Sequence, residues 1–152
     1  MTTQAGTVQH APFLVRLLNP LLMAMMAAGI PLGPNGLITV RGRKTGEPRT
    51  TGVAIINVAG RRWVWAPWGD VNWVRNLRAA RRATISYRGH KDEVSATELD
   101  ESERLGFFRN VYIPMVKTIP GGFTMARLVD GVDLHHPDEI AVDRRVFELR
   151  PI

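Results

Sequence analysis

The chain has 152 residues, 45% of them hydrophobic, which is typical of one globular domain with a substantial core and argues against a disordered segment. It contains no cysteine, which excludes disulfides, thiolate nucleophiles and sulfur-ligated metal centres. The net charge of +6 is carried by 17 arginines against three lysines, which favours an anionic partner because guanidinium groups bind phosphate and carboxylate groups with two hydrogen bonds.

The first element in chain order is a strongly apolar segment whose single charge is Arg16. Asn19 and Pro20 have the pattern of a helix N-cap followed by proline at the first helical position, and Gly29 is placed to end the helix. The predicted helix, residues 20–28, is about 13 Å long at 1.5 Å per residue, too short to cross a hydrocarbon core of about 30 Å. No lysine or arginine precedes Arg16, so a secretory signal is not favoured.

Two interpretations of this segment stay open. Either it packs against the core as helices, or its methionine-rich surface (Met23, Met25 and Met26) lies on a membrane or lines a lipid-like ligand, because methionine adapts to irregular apolar partners. We expect residues 1–35 to form this N-terminal helical segment and residues 36–152 to form the main domain.

Six short β-rich runs in the rest of the chain predict an antiparallel sheet. The runs are residues 37–40, 50–58, 62–66, 83–88, 93–99 and 145–149. Turn sequences between them indicate a meander of hairpins, with a tight turn at Ala59-Gly60 and a longer one over 88–92. A twisted sheet with this strand number avoids exposed edges by curling up, so we predict an α+β protein with an antiparallel six-stranded barrel and flanking helices.

Two helices are predicted between the strands. Asp70 is placed to cap the first, and Trp73 lies on its apolar face. Asp100 and Glu103 have the spacing of a capping box for the second. The second helix carries an apolar stripe, which Pro114 and Pro120 are expected to end. The stripe consists of Leu105, Phe108, Val111, Tyr112 and Met115.

Common catalytic motifs are absent from the sequence, which has no GxGxxG, P-loop, HExxH or GxSxG pattern. His135 and His136 lie between Asp133 and Asp138, which is a conceivable set of metal ligands. Adjacent histidines in a polar loop are far more often solvated, so no metal site is predicted.

The most informative motif is the turn GRKTGEPRTT, residues 42–51. Its glycines permit the positive φ angles that let backbone N–H groups converge on an anion, while Arg43 and Lys44 supply charge and Thr45 a hydroxyl donor. From spacing alone the turn is either a solvated hairpin tip or an anion-binding turn. Shielded charge-assisted hydrogen bonds contribute about 1.5 to 3 kcal/mol each and exposed ion pairs about 0 to 1, so burial by neighbours decides between the two.

This turn, followed by a hairpin and then by WVRNL at residues 73–77, resembles the deazaflavin-dependent nitroreductase and quinone reductase family. The hallmarks of that family are a G-R-K-[ST]-G-x-x-R turn and a W-x-x-N-L helix. The similarity covers residues 36–99 well and the C-terminal part more loosely. It implies a split β-barrel of the FMN-binding type that uses coenzyme F420, a 5-deazaflavin with a phosphate and a poly-glutamate tail, in preference to FMN.

The resemblance assigns cofactor binding to residues of the turn and of the tryptophan helix. Residues 43–46 would hold the anionic tail, Arg49 would support that end, and Asn76 would anchor the cofactor by a hydrogen bond. Trp73 lies near the cofactor by the same resemblance, although its place on the apolar face is equally explained by core packing. The cofactor-binding set, with Trp68 from the preceding loop, is Arg43, Lys44, Thr45, Gly46, Arg49, Trp68, Trp73 and Asn76.

The chain departs from the family pattern in two places. Gly52-Val53 stand where family members commonly have proline and leucine. The loop APWGDVN, residues 66–72, is shorter and more apolar than usual and lacks the glycine pair and the lysine. Pro67 and Trp68 are therefore expected to narrow the cofactor groove or to form an aromatic wall for a flat hydrophobic substrate.

Tyr112 is the predicted catalytic residue. It lies roughly where the family places a tyrosine beside the substrate, and a proton donor would help to complete a two-electron reduction. The alternative is a core tyrosine whose hydroxyl is satisfied within the protein.

The expected function is hydride transfer from reduced coenzyme F420 to a hydrophobic quinone-like, nitroaromatic or unsaturated lipid acceptor. The cofactor supplies the reactive hydride, which suits a sequence without a catalytic dyad. The expected location is the cytoplasm, with peripheral contact at the inner membrane face, and a homodimer is expected by analogy with other split barrels. The alternative function is a non-catalytic lipid or hydrophobic-ligand binding protein on the same fold.

A nucleic-acid surface is the third interpretation of the arginines. It would use Arg75, Arg78 and Arg82 to follow phosphates. We do not favour it, because the neighbouring aromatic residues lie on the apolar face of that helix and not among its cations.

Overall fold

The computed structural model describes residues 13–28 and 35–152. This part of the chain holds six β-strands, six α-helices and two π-helical turns. In chain order they are α1 (Phe13–Ala27), β1 (Asn35–Arg41), β2 (Pro48–Val58), β3 (Arg61–Ala66), α2 (Asn72–Ala80), β4 (Arg82–Tyr87), β5 (His90–Glu98), α3 (Glu101–Phe107), the first π-helical turn (Phe108–Tyr112), α4 (Ile113–Lys117), α5 (Gly122–Met125), the second π-helical turn (Ala126–Asp130), α6 (Pro137–Asp143) and β6 (Arg145–Pro151).

The strands form a closed antiparallel barrel in the order β1-β2-β3-β6-β5-β4. Pairing of β1 with β4, in which Ile38 lies opposite Ile85, closes it. The predicted six-stranded antiparallel barrel with flanking helices is confirmed. The strands are not a simple meander, however, because β6 returns from the C-terminal helices and inserts between β3 and β5. This insertion leaves neither β3 nor β5 with an unpaired edge.

Two hairpins use two-residue turns in which both residues have positive φ angles. Ala59 (φ 52°) and Gly60 (φ 76°) join β2 to β3, as predicted. Arg88 (φ 51°) and Gly89 (φ 81°) join β4 to β5, so this turn is shorter than the predicted span 88–92. Turns of this handedness match the twist of the flanking strands, which allows pairing to continue up to the turn.

β3 explains why the protein has two hydrophobic core clusters. Val64 and Ala66 belong to the cluster inside the barrel, whereas Trp63 and Trp65 belong to the cluster between the barrel wall and the C-terminal helices. All four side chains are buried. Successive side chains of a strand face opposite sides, so a strand covered on both sides carries a continuous apolar run.

The helix that follows β5 continues through Pro114, so the prediction that this proline helps to end it is wrong. It begins at the predicted capping box, in which the Asp100 carboxylate accepts from the N–H of Glu103 at 2.8 Å. Proline lacks an N–H, and its ring clashes with the carbonyl of the preceding turn of a regular α-helix. The first π-helical turn, which ends at Tyr112, widens the helix at this point and lets it reach Lys117.

α1 differs from its prediction. It begins at Phe13, and Asn19 and Pro20 lie inside it, so they do not form its start. Phe13 and Leu17 are more than 60% exposed, and none of the described side chains of α1 belongs to either core cluster. α1 lies against β1 and β2 without joining either core cluster through its described side chains, and the predicted end at Gly29 lies outside the described residues. No helix in the described ranges combines the length and the apolar character needed to cross a membrane.

Arg104 connects α3 to α6 from a buried position, and its replacement gives a test of the packing of the helical layer. Its guanidinium donates to the carbonyls of Leu99 (3.0 Å) and Ala141 (2.7 Å). We expect Arg104→Leu to lower the free energy of unfolding by about 3 kcal/mol, because buried carbonyls lose charged donors. Arg109→Leu is the matched control, since Arg109 makes an exposed ion pair worth about 0 to 1 kcal/mol. Urea unfolding measures both, and equal losses would contradict the assignment.

Candidate functional site

A groove of about 550 Å³ lies where α1, β2, β3, the start of α2 and the second π-helical turn meet. Small-molecule sites have volumes of roughly 300 to 1,000 Å³, so this groove is large enough for a multi-ring ligand. Three tryptophans contribute to its lining: Trp65, Trp68 and Trp73. The groove is therefore walled by large flat side chains.

Each tryptophan is positioned by a different element. Trp65 is on the outer face of β3 and packs edge-on against Phe108, with ring centroids 5.4 Å apart. Trp73 is in the first turn of α2 and is only partly buried. Trp68 lies close to Gly131 (φ 65°), at which a β-carbon would come within 3.3 Å of the indole ring. A residue with a side chain at 131 would therefore displace the wall formed by Trp68.

The indole N–H of Trp65 is the unusual polar group of this wall. It is buried and has no hydrogen-bond partner among the described residues. An unsatisfied buried donor costs about 1 to 3 kcal/mol.

The glycine-rich turn between β1 and β2 is exposed, apart from the buried Gly42. Gly42 N–H donates to the Glu47 carbonyl at 2.8 Å, and Gly46 N–H donates to the Gly42 carbonyl at 2.9 Å. The φ of 74° at Gly46 is the left-handed conformation expected from the motif. The cationic side chains Arg43, Lys44 and Arg49 are solvent-exposed. None of the three is part of the groove lining as far as the described residues show.

Asn76 fixes the turn to α2. Its side chain is 7% exposed, and its Oδ1 accepts from the backbone N–H of Arg43 (3.2 Å) and from the Arg43 guanidinium (2.7 Å). The sequence predicted Asn76 as a cofactor anchor, whereas the hydrogen bonds seen here are to the turn. Trp73 lies three residues earlier on the same helix, so one element supplies both a groove wall and the support of the turn.

α2 itself is held by ion pairs. The prediction that Asp70 caps α2 is wrong, because the helix begins after Val71, which occupies the N-cap position. Asp70 accepts from Arg78 at 2.9 Å, and Arg78 also donates to Glu98 at 2.7 Å. Burial tends to raise the pKa of Asp70, but the Arg78 hydrogen bond and charge outweigh it and lower that pKa. Arg75 is 3.6 Å from Asp70, so two arginines of the hypothetical nucleic-acid surface are already in ion pairs.

Tyr112 is buried behind Trp65, with ring centroids 4.9 Å apart. Its hydroxyl donates to Asp130 Oδ2 at 3.4 Å, and Asp130, unlike Tyr112, contributes to the groove lining. Burial, followed by the negative charge of Asp130, raises the pKa of Tyr112 well above its usual value. Burial raises the pKa of Asp130 to about 6, although the Tyr112 hydrogen bond opposes this.

One interpretation of the N-terminal segment was that its methionines line a ligand, whereas α1 contributes Arg16, Asn19 and Leu22 to the groove. Sequence reasoning missed the second π-helical turn, which provides Val129 and Asp130. Neither stretch carries a motif, and both reach the groove only through the tertiary fold. By contrast, Pro67 and Trp68 line the groove, as their place in the shortened loop suggested.

The histidine pair makes only local contacts. The Asp133 carboxylate accepts from the backbone N–H of His135 at 3.0 Å and lies 4.0 Å from the ring of His136. Within the described ranges, no group of three His, Asp or Glu side chains is arranged to hold a metal ion.

Comparison with known proteins gives one family and a set of similar folds. The F420H(2)-dependent quinone reductase family matches residues 22–118. Rv2991, a conserved hypothetical protein from Mycobacterium tuberculosis, has a TM-score of 0.54 at 16% identity over 99% of this chain and 86% of its own. A domain-swapped dimer has a TM-score of 0.54 at 16% identity over 91% and 97%.

A third solved structure, F420-H2 dependent reductase FDR-A, has a TM-score of 0.49 at 19% identity over 77% of this chain and 94% of its own. No curated protein matches the sequence. The closed six-stranded topology and the two similarities with a TM-score of 0.54 confirm the predicted split β-barrel fold.

Replacing Asn76 tests whether it holds the turn. We expect Asn76→Ala to speed hydrogen exchange at the Arg43 amide by about tenfold or more, because a hydrogen bond to a buried acceptor is lost. Thr45→Ala is the control, since the Thr45 hydroxyl contacts the Glu47 N–H within the turn itself. Exchange measured by NMR should leave the Arg43 amide protected in the control. Unchanged protection in Asn76→Ala would show that the turn is rigid without α2.

Proposed function

Because the chain belongs to the F420H(2)-dependent quinone reductase family, we propose that it transfers a hydride from reduced coenzyme F420 to a hydrophobic acceptor. The observation that carries the proposal is the groove of about 550 Å³ walled by three tryptophans. Flat aromatic rings are bound well by such walls, since offset and edge-on ring contacts add to apolar burial. The groove residues fit a deazaflavin ring system, because Trp65, Trp68 and Trp73 provide flat apolar surfaces for its rings.

The exposed turn provides the complementary place for the anionic tail. Trp73 at the groove wall and Asn76 at the turn are three residues apart on α2, which is about one helical turn or 5 Å. Along β2, Thr51 in the groove lining is two residues from Arg49, or about 7 Å. A ligand with its rings in the groove therefore needs to extend only a short distance to reach Arg43, Lys44 and Thr45.

The protein's part in the reaction is binding, orientation and the exclusion of water. Trp68 and Trp73 would hold the ring system, and Arg43, Lys44, Thr45, Gly46 and Arg49 would hold the phosphate and glutamate groups, supported by Asn76. When bound, the reduced deazaflavin supplies the hydride. Holding the two reactants in fixed geometry supplies much of the remaining acceleration.

The lining of the groove indicates a hydrophobic acceptor. Besides its tryptophans, the groove is lined by Leu22, Val53 and Val129, and Val129 is exposed beside Asp130. Apolar side chains in a lining of this kind favour a quinone-like, nitroaromatic or unsaturated lipid acceptor. They also suit peripheral contact with a membrane surface, from which such an acceptor would be taken.

A homodimer is part of the proposal. It is supported by the similar fold described as a domain-swapped dimer, and by the exposed apolar face of α1. Light scattering of the purified chain should give about twice the monomer mass of 17.0 kDa. A mass equal to the monomer at micromolar concentration would remove this part of the proposal.

Titration with reduced coenzyme F420, followed by tryptophan fluorescence, tests the cofactor assignment. The wild type should show a saturable change at micromolar coenzyme, and Arg43→Ala and Lys44→Ala should each weaken binding about tenfold. A tenfold loss of affinity is at the low end of the effect of removing a charge-assisted hydrogen bond, because these side chains are exposed. Arg61→Ala is the control, since Arg61 is exposed at the opposite hairpin and pairs with Glu148. Absence of saturation in the wild type would rule out the reductase.

Menadione, a small naphthoquinone, separates the reductase from the alternative of a non-catalytic hydrophobic-ligand binder. The reductase should oxidise the reduced coenzyme in proportion to menadione added, whereas the binder should take up menadione without oxidising the coenzyme. A parallel titration with FMN should give weaker binding, because FMN lacks the glutamate tail that the turn is proposed to hold.

A further inference from the structure

Asp130 is a carboxyl group placed at the wall of the groove with no role in the proposed binding of the coenzyme. It is the last residue of the second π-helical turn and is followed by Gly131, whose positive φ ends that turn. The Trp68 ring lies beside this glycine. The carboxyl is partly buried yet contributes to the lining, so it is within reach of a ligand in the groove.

The Asp130 carboxyl is oriented by the buried side chain of Tyr112. Tyr112 donates its hydroxyl hydrogen to Asp130 Oδ2 at 3.4 Å. The Tyr112 ring is fixed between Trp65, at 4.9 Å, and Phe108, at 5.8 Å between centroids. Tyr112 itself is 4% exposed and does not contribute to the lining. The carboxyl therefore stands between the tyrosine and the groove.

The surroundings keep the proton on Asp130 to an unusually high pH. Burial raises its pKa to about 6, and the hydrogen bond from Tyr112 moderates the rise. Two cations of other elements lie near this region: Arg16 of α1 contributes to the same groove, and Arg144 donates to the Gly131 carbonyl at 3.5 Å. Arg127 is on the same turn as Asp130 but lines a different cavity together with Asp133. A carboxyl of this acidity exchanges protons readily near neutral pH.

We propose that Asp130 is the proton donor to the acceptor in this groove and that Tyr112 is the residue that positions its carboxyl. The inference rests on the proposed reductase function. The acceptor gains a hydride, and with it two electrons, from the reduced deazaflavin, which leaves oxidised. An acceptor oxygen forms a new O–H bond with the Asp130 proton as the carboxyl O–H bond breaks, and the carboxylate then regains a proton from solvent.

This assignment differs from the sequence-based prediction that Tyr112 donates the proton directly. The Tyr112 hydroxyl is directed at Asp130, and burial makes it a weaker acid than an ordinary tyrosine. Direct donation would also require the ring to leave its packing against Trp65 and Phe108. The two assignments predict opposite results for the two variants Asp130→Asn and Tyr112→Phe.

The proton on Asp130 is measurable without coenzyme. The folded protein binds it more tightly than the unfolded chain does, since a free aspartate has a pKa near 3.8. Wild-type stability should therefore fall, relative to Asp130→Asn, as the pH rises from about 4 to about 6. The melting temperature of Asp130→Asn should exceed that of the wild type by about 6 to 12 °C at pH 7.5 and match it at pH 4.

Tyr112→Phe should extend the upper end of this window to higher pH, because the hydrogen bond that favours the carboxylate is removed, while the lower end stays at the pKa of the unfolded chain. Asp138→Asn is the matched control, since Asp138 is an exposed carboxylate paired with Arg109, and it should show no such pH-dependent gap. A gap that is constant with pH in Asp130→Asn would overturn the assignment of Asp130 as the proton carrier.

The pH profile with menadione and reduced coenzyme then tests donation itself. The wild-type kcat should fall as the pH rises above about 6, which gives the pH profile a descending limb. Asp130→Asn should lose about 100-fold in kcat at pH 6 and should lack this limb, while its affinity for the coenzyme stays within twofold of the wild type. Asp130→Glu should restore part of the limb, and Tyr112→Phe should shift the limb to higher pH. Loss of the limb in Tyr112→Phe but not in Asp130→Asn would make the tyrosine the donor.

The outcomes separate the two levels of inference. A wild type that binds no reduced coenzyme overturns the proposed function and the donor role with it. A wild type that binds and oxidises the coenzyme while Asp130→Asn keeps the wild-type pH profile overturns the donor role alone.

Discussion

The hydrogen bonds between Asn76 and Arg43 are the constraint on which the arrangement of the site depends. They join a turn that belongs to the β1–β2 hairpin to a helix that belongs to the next part of the chain. The same helix carries Trp73 at the groove, and its own position is set by the Asp70–Arg78–Glu98 ion pairs. The distance between the aromatic walls and the cationic turn is therefore fixed by α2, although the turn itself is solvent-exposed.

The strands were predictable from sequence because each is a local pattern. β-Branched runs, glycine turns and the apolar stretch of β3 identify all six, and the ends shift by only a few residues because pairing extends beyond the apolar part. The position of β6 was not predictable, since insertion between β3 and β5 depends on where the C-terminal helices lead the chain. Pro20 and Pro114 led to wrong predictions of helix boundaries, because the surroundings of a proline decide whether a helix ends there. α1 tolerates its proline where it faces solvent, and the π-helical turn accommodates the other.

The site was predictable only where a motif marks it. The turn and the WVRNL helix carry such a motif, and the short apolar loop drew attention to Trp68, which does line the groove. The orientation of the turn was not predictable, because neither spacing nor charge shows whether a hairpin tip faces a cavity. Arg16 and Asp130 have no local signal at all. They come from segments at opposite ends of the chain and meet at the groove only through the closed barrel and the helices packed on it.

Asp130 also differs from Asp70 and Arg104, two other charged residues near the barrel, because its surroundings on balance disfavour its ionised form. Asp70 lies between two guanidinium groups that stabilise its ionised form, and Arg104 is satisfied by buried carbonyls. The hydrogen bond to Asp130 comes from a neutral hydroxyl, and burial disfavours the carboxylate that neutral pH would otherwise produce. An asparagine amide at position 130 could accept the same hydrogen bond from Tyr112 without the free-energy cost of burying a carboxylate. A carboxyl kept near the point of ionisation beside a ligand-sized groove is instead suited to releasing and regaining a proton.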